Sequence, residues 1–256
     1  MGNDRKAAGR RPDKNRRQWP AKAAGKETLA PRQKPGQKQR QECTPASLAQ
    51  VFSSINCPCP EGALAGLASY INMLMRWNRV MNLVGSRTWQ DAAKDLVADC
   101  LHLAVFLETL NLPDNPLTWD PGAGAGLPGI PLRLVWQKGS YHMVEIRQKR
   151  ALFLSQALGT LSLQKTYAHN MDINAFMGSE KADLVISRAF MPWDKVLALF
   201  SDHLADNGQI VFMASRMPDA DDFAAHASSC RLAAEHAYQS GSTSRCFFAV
   251  QKEARI

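Results

Sequence analysis

Between residues 117 and 132 the chain reads LTWDPGAGAGLPGIPL, a short β-prone run that meets an acid, then four glycines within eight residues, then two prolines. Glycines at this density cost backbone entropy. A chain carries them where φ must be positive or where a ligand or another backbone must come closer than a Cβ allows. The stretch therefore reads as a binding loop. Pro128 and Pro131 suit the first turn of a following helix, where a missing N–H is not needed, so the helix start is expected to aim its free amides back at the loop.

The rest of the chain alternates around this loop. Strands are expected at 117–120, 141–145, 165–169, 183–187, 209–213 and 246–250, with helices at 128–137, 147–159 and 193–204; a poorly patterned segment with one helix precedes the last strand. Such alternation specifies an α/β fold with a parallel sheet covered on both faces, a Rossmann-like arrangement that binds ligands beyond the carboxyl ends of its strands. A helical preface comes first. Thr44 and Pro45 form a cap and first-turn pair for a helix ending near Asn56. A longer helix from Glu61 places Leu64, Leu67, Ile71, Leu74, Met75 and Trp77 on one face, and a third runs from Trp89 to Leu107. The expected division is a basic tail over 1–43, a helical preface over 44–110 and a catalytic domain over 111–256.

The net charge of +8 suggests a polyanion partner until it is located along the chain. Residues 1–43 hold 13 Lys and Arg against 4 Asp and Glu, whereas the remainder holds 18 against 19. The excess lies in the tail, which is too polar to bury a core and is expected to be disordered, an arm able to add counterion-release affinity for RNA. The near-neutral body needs a local basic patch or that arm to hold nucleic acid. No run approaches the ~18 apolar residues of a membrane span, and neither a secretory signal nor a transit peptide is evident, so a cytoplasmic protein without membrane attachment is expected. The six cysteines lack paired C-x-x-C spacing and read as free thiols, and no metal is expected.

Glu145 ends the second expected strand about 19 residues after Gly126, where a carboxylate can accept both hydroxyls of a ribose. Gly124, Gly126 and Gly129 match the dinucleotide spacing, so NAD competes for the site. Yet the loop starts earlier, at Asp120 and Gly122. An acid at the first strand end meets a pyrophosphate unfavourably and suits a ligand bearing an ammonium and a sulfonium, S-adenosylmethionine. The six histidines share no spacing with an acid, and no catalytic residue is assigned with certainty.

These residues carry a family resemblance. DPGAGAGLPGIP from Asp120 resembles the D-x-G-[ST]-G-x-G-x-P-G-x-P loop of the small-subunit rRNA methyltransferase G family, also called glucose-inhibited division protein B. In the same order, WNRVMNL from Trp77 resembles W-N-x-x-x-N-L and Asp99 opens a counterpart of D-S-L. VEIRQKRALFL from Val144 is similar to the family's acid, paired bases and F-L; Ser187, Arg188 and Ala189 match S-R-A, and residues 245–252 its last strand. The resemblance spans residues 61–252. It implies an S-adenosylmethionine-dependent enzyme acting on N7 of a guanine in 16S rRNA, free or within the small ribosomal subunit. By the same resemblance Asp120, Gly122, Gly124, Gly126 and Leu127 line the cofactor, Glu145 takes its ribose, Met171 and Asp172 frame its adenine, and Arg188 reaches the cofactor or the target.

Three positions depart from the pattern. Asp95 and Leu96 stand where the family has Arg-His, Asn170 where it has Arg, and Ala214 and Ser215 where it has Lys-Gly. Each removes a basic group, although Arg216 follows closely. A relative with an altered RNA target, or one that binds cofactor and RNA without activity, stays compatible with the sequence, and the methyl donor is better specified than the acceptor.

Overall fold

The computed structural model describes residues 42–226, 230–240 and 243–252. The chain divides into two units, 1–40 and 41–256, and all that follows concerns the second. The expected disordered tail lies, up to residue 41, outside the described residues.

Helices lead. α1 (Pro45–Ser54) starts from a Thr44 cap whose hydroxyl accepts the Ser47 amide, with Pro45 in the first turn. α2 (Leu64–Met81) ends on Asn82 in the left-handed region. α3 (Trp89–Ala92) passes through a π-helical turn, Ala93–Val97, into α4 (Ala98–Glu108). Then strand and helix alternate: β1 (Leu117–Pro121), α5 (Gly129–Val135), β2 (Ser140–Val144), α6 (Gln148–Leu161), β3 (Thr166–His169), α7 (Ile173–Phe176) and β4 (Ala182–Arg188). α8 (Trp193–Phe200), β5 (Leu204–Ala214), α9 (Ala220–His226), β6 (Cys230–Ser240) and β7 (Thr243–Lys252) complete the order.

The strands form one sheet in the order β3-β2-β1-β4-β5-β7-β6. The first five are parallel, as expected. The sheet is not parallel throughout: β7 runs antiparallel to β5 and β6 antiparallel to β7. β6 was not anticipated. Its sequence CRLAAEHAYQS is rich in alanine and lacks β-branched residues, so its extended form comes from pairing with β7 rather than from local preference.

Alternation along the strands sorts two cores. Leu184, Ile186, Val211, Phe247 and Ala249 pack under the leading helices together with α5 and α6. Val185, Ile210, Phe212, Phe248 and Val250 pack with Val196, Leu197 and Phe200 of α8. Strand residues two apart share a face, so this odd–even split makes a three-layer body with the sheet in the middle. The helical preface belongs to the first of these layers: the rings of Trp77 on α2 and Phe153 on α6 meet edge to face at 5.6 Å.

Below α5 sits a buried cation that the sequence did not flag. Arg133 is 2% exposed and its guanidinium donates to the carbonyls of Trp136, Lys138, Gln137, Gly139 and Gln164, with Nε on the Thr166 hydroxyl. A cation at a helix carboxyl end satisfies carbonyls that have no partner in the helix and sits favourably in its dipole. Here it fixes the helix that follows the glycine loop.

Candidate functional site

β1 pairs with β2 so that Asp120 lies opposite Met143 and Pro121 opposite Val144, which brings the two expected acids, Asp120 and Glu145, to adjacent strand ends. Both are buried, at 2% and 4% exposure. Asp120 Oδ2 accepts the Tyr141 hydroxyl at 3.0 Å, and the carboxylate also receives the Gly129 amide. The first free amide of α5 thus points back to the loop's acid. Burial pushes the Asp120 carboxyl up to about 7, outweighing the lowering by those hydrogen bonds and by the Arg188 charge.

Glu145 uses both oxygens on backbone. Oε2 accepts the Gly124 amide at 3.0 Å and Oε1 the Arg147 amide at 2.8 Å. It therefore ties the glycine loop to the turn that enters α6. An ionised carboxylate has about four acceptor positions, so these two bonds leave capacity for hydroxyl donors.

The loop needs its glycines. Gly122, Gly124 and Gly126 have φ of +68°, +56° and +74°. A Cβ on Gly122 would stand 2.6 Å from the Phe190 ring and one on Gly126 2.3 Å from Ile130 Cδ1. At Gly124 the nearest atoms are at 3.7 Å, the Arg150 guanidinium among them, so the backbone stays open there. Pro128 is the cap of α5 rather than a first-turn residue, and Pro131 alone occupies the first turn. Leu127, partly buried, packs against the first core. From outside the sheet, Tyr70 of α2 donates its hydroxyl to the Ala125 carbonyl at 2.8 Å.

The remaining expected residues follow the next strand ends. Asn170, after β3, donates its amide to the carbonyls of Glu145 and Ile146. The residue standing in for an arginine thus holds the β2–α6 turn. Met171 is 41% exposed, and the Asp172 carboxylate caps α7 by accepting the Asn174 amide at 2.8 Å. Arg188 closes β4. The next residue, Ala189, has φ +52°, a left-handed turn that a side chain adopts rarely and that lets Phe190 fold back over Gly122.

Arg188 Nη2 donates to Asp99 Oδ2 at 3.3 Å. The structure thus gathers Asp120, the glycine loop, Glu145, Met171, Asp172 and Arg188 at the carboxyl ends of β1 to β4. The supports contributed by Tyr70, Tyr141 and Phe190 were missed, and each acts on a partner distant in sequence or hidden behind the loop.

Other reactive groups do not join this cluster. Burial pushes the Cys57 thiol up to about 12 and Cys59 to about 11, which makes both poor nucleophiles. His142 and His169 stack on each other at 5.2 Å, with burial lowering both. Among the described residues no group of three metal-ligating side chains converges, and no helix is long and apolar enough to cross a membrane.

A family profile described as rRNA small subunit methyltransferase G matches residues 63–245. The chain belongs to this family. That span holds every element from α2 through β6 and all the residues of the cluster. Among relatives, the ribosomal RNA small subunit methyltransferase G of Nitratidesulfovibrio vulgaris (strain DP4) is 57% identical over 157 residues, 61% of this chain and 72% of that protein. The family members of Oleidesulfovibrio alaskensis and Lawsonia intracellularis are 42% and 40% identical, over 76% and 74% of this chain and 88% and 87% of theirs. The family match covers the helical preface from residue 63 and strands β1 to β6, and ends within β7.

Proposed function

We infer that this chain transfers the methyl group of S-adenosylmethionine to N7 of a guanine in 16S rRNA, free or within the small ribosomal subunit, in the cytoplasm. The observation that carries this reading is the pair of buried carboxylates at adjacent strand ends, Asp120 bonded to Gly129 and Glu145 to Gly124 of one glycine loop.

The residues fit the donor. The open backbone at Gly124 leaves space that a Cβ would fill, and the positive φ of Gly122, Gly124 and Gly126 shapes the loop around it. Asp120, held near neutrality by burial, gains from a cation placed beside it, whereas a pyrophosphate would add charge of the wrong sign. Glu145 retains acceptor positions for ribose hydroxyls. Met171 and the turn at Asp172 offer an exposed apolar edge and backbone for an adenine.

Bound S-adenosylmethionine supplies an electrophilic methyl on a sulfonium. The guanine N7 lone pair forms the new N–C bond as the C–S bond breaks, and the positive charge passes from sulfur to the base. No proton moves, so a general base is unnecessary. What the chain contributes is alignment of N7 with the methyl and electrostatic tolerance of the charge that appears on the base. A base in folded RNA reaches such a site when it is unpaired or extruded.

Calorimetry with S-adenosylhomocysteine and with NAD separates this reading from a dinucleotide enzyme: binding of the first and none of the second is expected. In a deletion strain, one N7-methylguanine should disappear from 16S rRNA; its retention would refute the assignment.

A further inference from the structure

A near-neutral body needs a basic patch of its own to hold nucleic acid, and the rim beside the glycine loop carries one. α2 starts against the carboxyl end of α5, where a Cβ on Gly66 would stand 2.7 Å from Leu134. Its middle reaches the loop through the Tyr70–Ala125 bond, and Trp77 then meets Phe153 of α6. The helix therefore climbs toward the carboxyl ends of the strands while α6 descends from them. Around and just past that contact α2 exposes Arg76, Arg79 and Val80. One turn before it α6 exposes Lys149 and, at its cap, Arg147. Arg87 joins them, because the Asn78 side chain binds the Val84 amide and the Ser86 carbonyl and folds the chain after α2 back on the helix end.

Among the described residues none of these five cations pairs with a carboxylate, whereas Lys138, Arg188 and Arg245 do. The first turn of α6 holds no acid, so Arg147 and Lys149 stand at the positive end of a helix dipole. Like charges gathered in this way repel one another, and an anionic partner offsets them. Val80 and Leu152, 84% and 60% exposed, lie among the cations and belong to neither core. Exposed cations with apolar side chains between them suit a strand whose phosphates are bound while its sugars and bases pack alongside. Arg150 turns inward instead, its Nη1 3.7 Å from the place of a Cβ on Gly124, and marks the seam between rim and loop.

Resting on the rRNA reading above, we propose that this rim, from the end of α2 to the start of α6, grips the phosphate backbone of the RNA strand that flanks the target base. A base drawn out of folded RNA needs its neighbouring nucleotides held while it lies in the crevice. The rim adjoins the loop assigned to the methyl donor, so a strand bound here keeps the extruded base within reach of the methyl. Backbone contacts of this kind set register and orientation and leave the base to be read inside the crevice. The helical preface thus supplies half of the grip as well as a support for the loop. The rim belongs to the folded body, and its contribution is separate from that of the basic tail over residues 1–43.

The experiment uses the full-length chain with naked 16S rRNA and with small subunits, both from cells lacking the protein. RNA binding is read by filter retention over a salt series, and S-adenosylhomocysteine affinity by calorimetry. Arg76→Gln, Arg79→Gln and Lys149→Gln together should weaken binding to naked RNA by roughly tenfold at about 50 mM salt, lower the log–log salt slope by about two, and leave S-adenosylhomocysteine affinity within about twofold. A control chain with Lys138→Gln, Lys165→Gln and Lys181→Gln removes equal charge at the amino ends of β2, β3 and β4, and should bind RNA as the wild type does. Arg147→Gln alone, at an exposed cap, should lower the slope by about 0.7 and serves where the triple variant does not fold. Equal weakening in the control chain, unchanged RNA binding by the rim variants, or loss of S-adenosylhomocysteine affinity in parallel would each overturn the rim assignment. Weakening on subunits but not on naked RNA would point to a ribosomal protein and overturn it as well. Wild-type binding through the rim without a borohydride and aniline cut would overturn the guanine-N7 reading and leave the rim in place.

Discussion

The Tyr70 hydroxyl donates to the Ala125 carbonyl at 2.8 Å, across 55 positions of sequence, and so fastens a helix of the preface to the tip of the glycine loop. The pair is buried, and the preface is part of the site's scaffold rather than an appendage. Tyr70→Phe leaves the loop carbonyl without its donor. A loss of about 1–3 kcal/mol in a urea melt is expected from an unsatisfied buried acceptor, with several-fold weaker S-adenosylhomocysteine binding.

Gly122 and Gly124 both need a left-handed backbone, yet they differ in what surrounds them. Gly122→Ala drives a Cβ to 2.6 Å from the Phe190 ring in addition to the backbone strain, whereas Gly124→Ala meets only ordinary contacts at 3.7 Å. Calorimetry should find binding lost in Gly122→Ala. Gly124→Ala should remain folded at a cost of about 1–2 kcal/mol of stability, the left-handed penalty, and should weaken binding because its Cβ takes the open space left for the ligand. The reverse order would show that Phe190 gives way.

Asp120 makes stability and binding depend on pH in opposite senses. Its carboxyl is raised from 3.8 to about 7 in the fold, chiefly by burial, so the folded chain holds a proton that the unfolded chain releases. The stability from this group is complete below about pH 4 and is lost as pH rises through about 7. A bound cation favours the ionised form, so affinity for S-adenosylmethionine should tighten from pH 6 to 8 with proton release, read as a buffer-dependent enthalpy. Asp120→Asn should flatten both profiles.

Arg133→Met keeps the stem volume but leaves the carbonyls under α5 without a donor. A destabilisation of more than about 3 kcal/mol is expected, since each buried carbonyl left without a donor costs about 1–3 kcal/mol. Differential scanning calorimetry checks it, and a change under 1 kcal/mol would mean that water replaces the guanidinium.

The parts of this structure legible in the sequence are those whose cause is local. The loop from Asp120 to Pro131 carries its own signal in glycine, acid and proline order. Glu145 and Arg188 stand at the ends of apolar strand runs, where an open sheet aims residues at its crevice. β6 was not legible, because its alanines favour helix and only β7 holds it extended. Asp99 accepts from Arg188 and Tyr238, 89 and 139 positions away, and no spacing rule connects them. Ala189 gives no sign in sequence of its left-handed turn, since the fold imposes it. Asn170 read as a lost arginine; its amide instead bonds the Glu145 and Ile146 carbonyls, a role visible only once β2 and β3 are paired.

The methyl-transfer reading is tested most directly by incubating the purified full-length chain and S-adenosylmethionine with small ribosomal subunits from cells lacking it, then treating the RNA with borohydride and aniline to cut at N7-methylguanine. One new scission, at a single guanine of the 16S RNA, is expected with the wild-type chain and not with Gly122→Ala. An RNA left uncut by a chain that binds S-adenosylhomocysteine would contradict transfer to guanine N7.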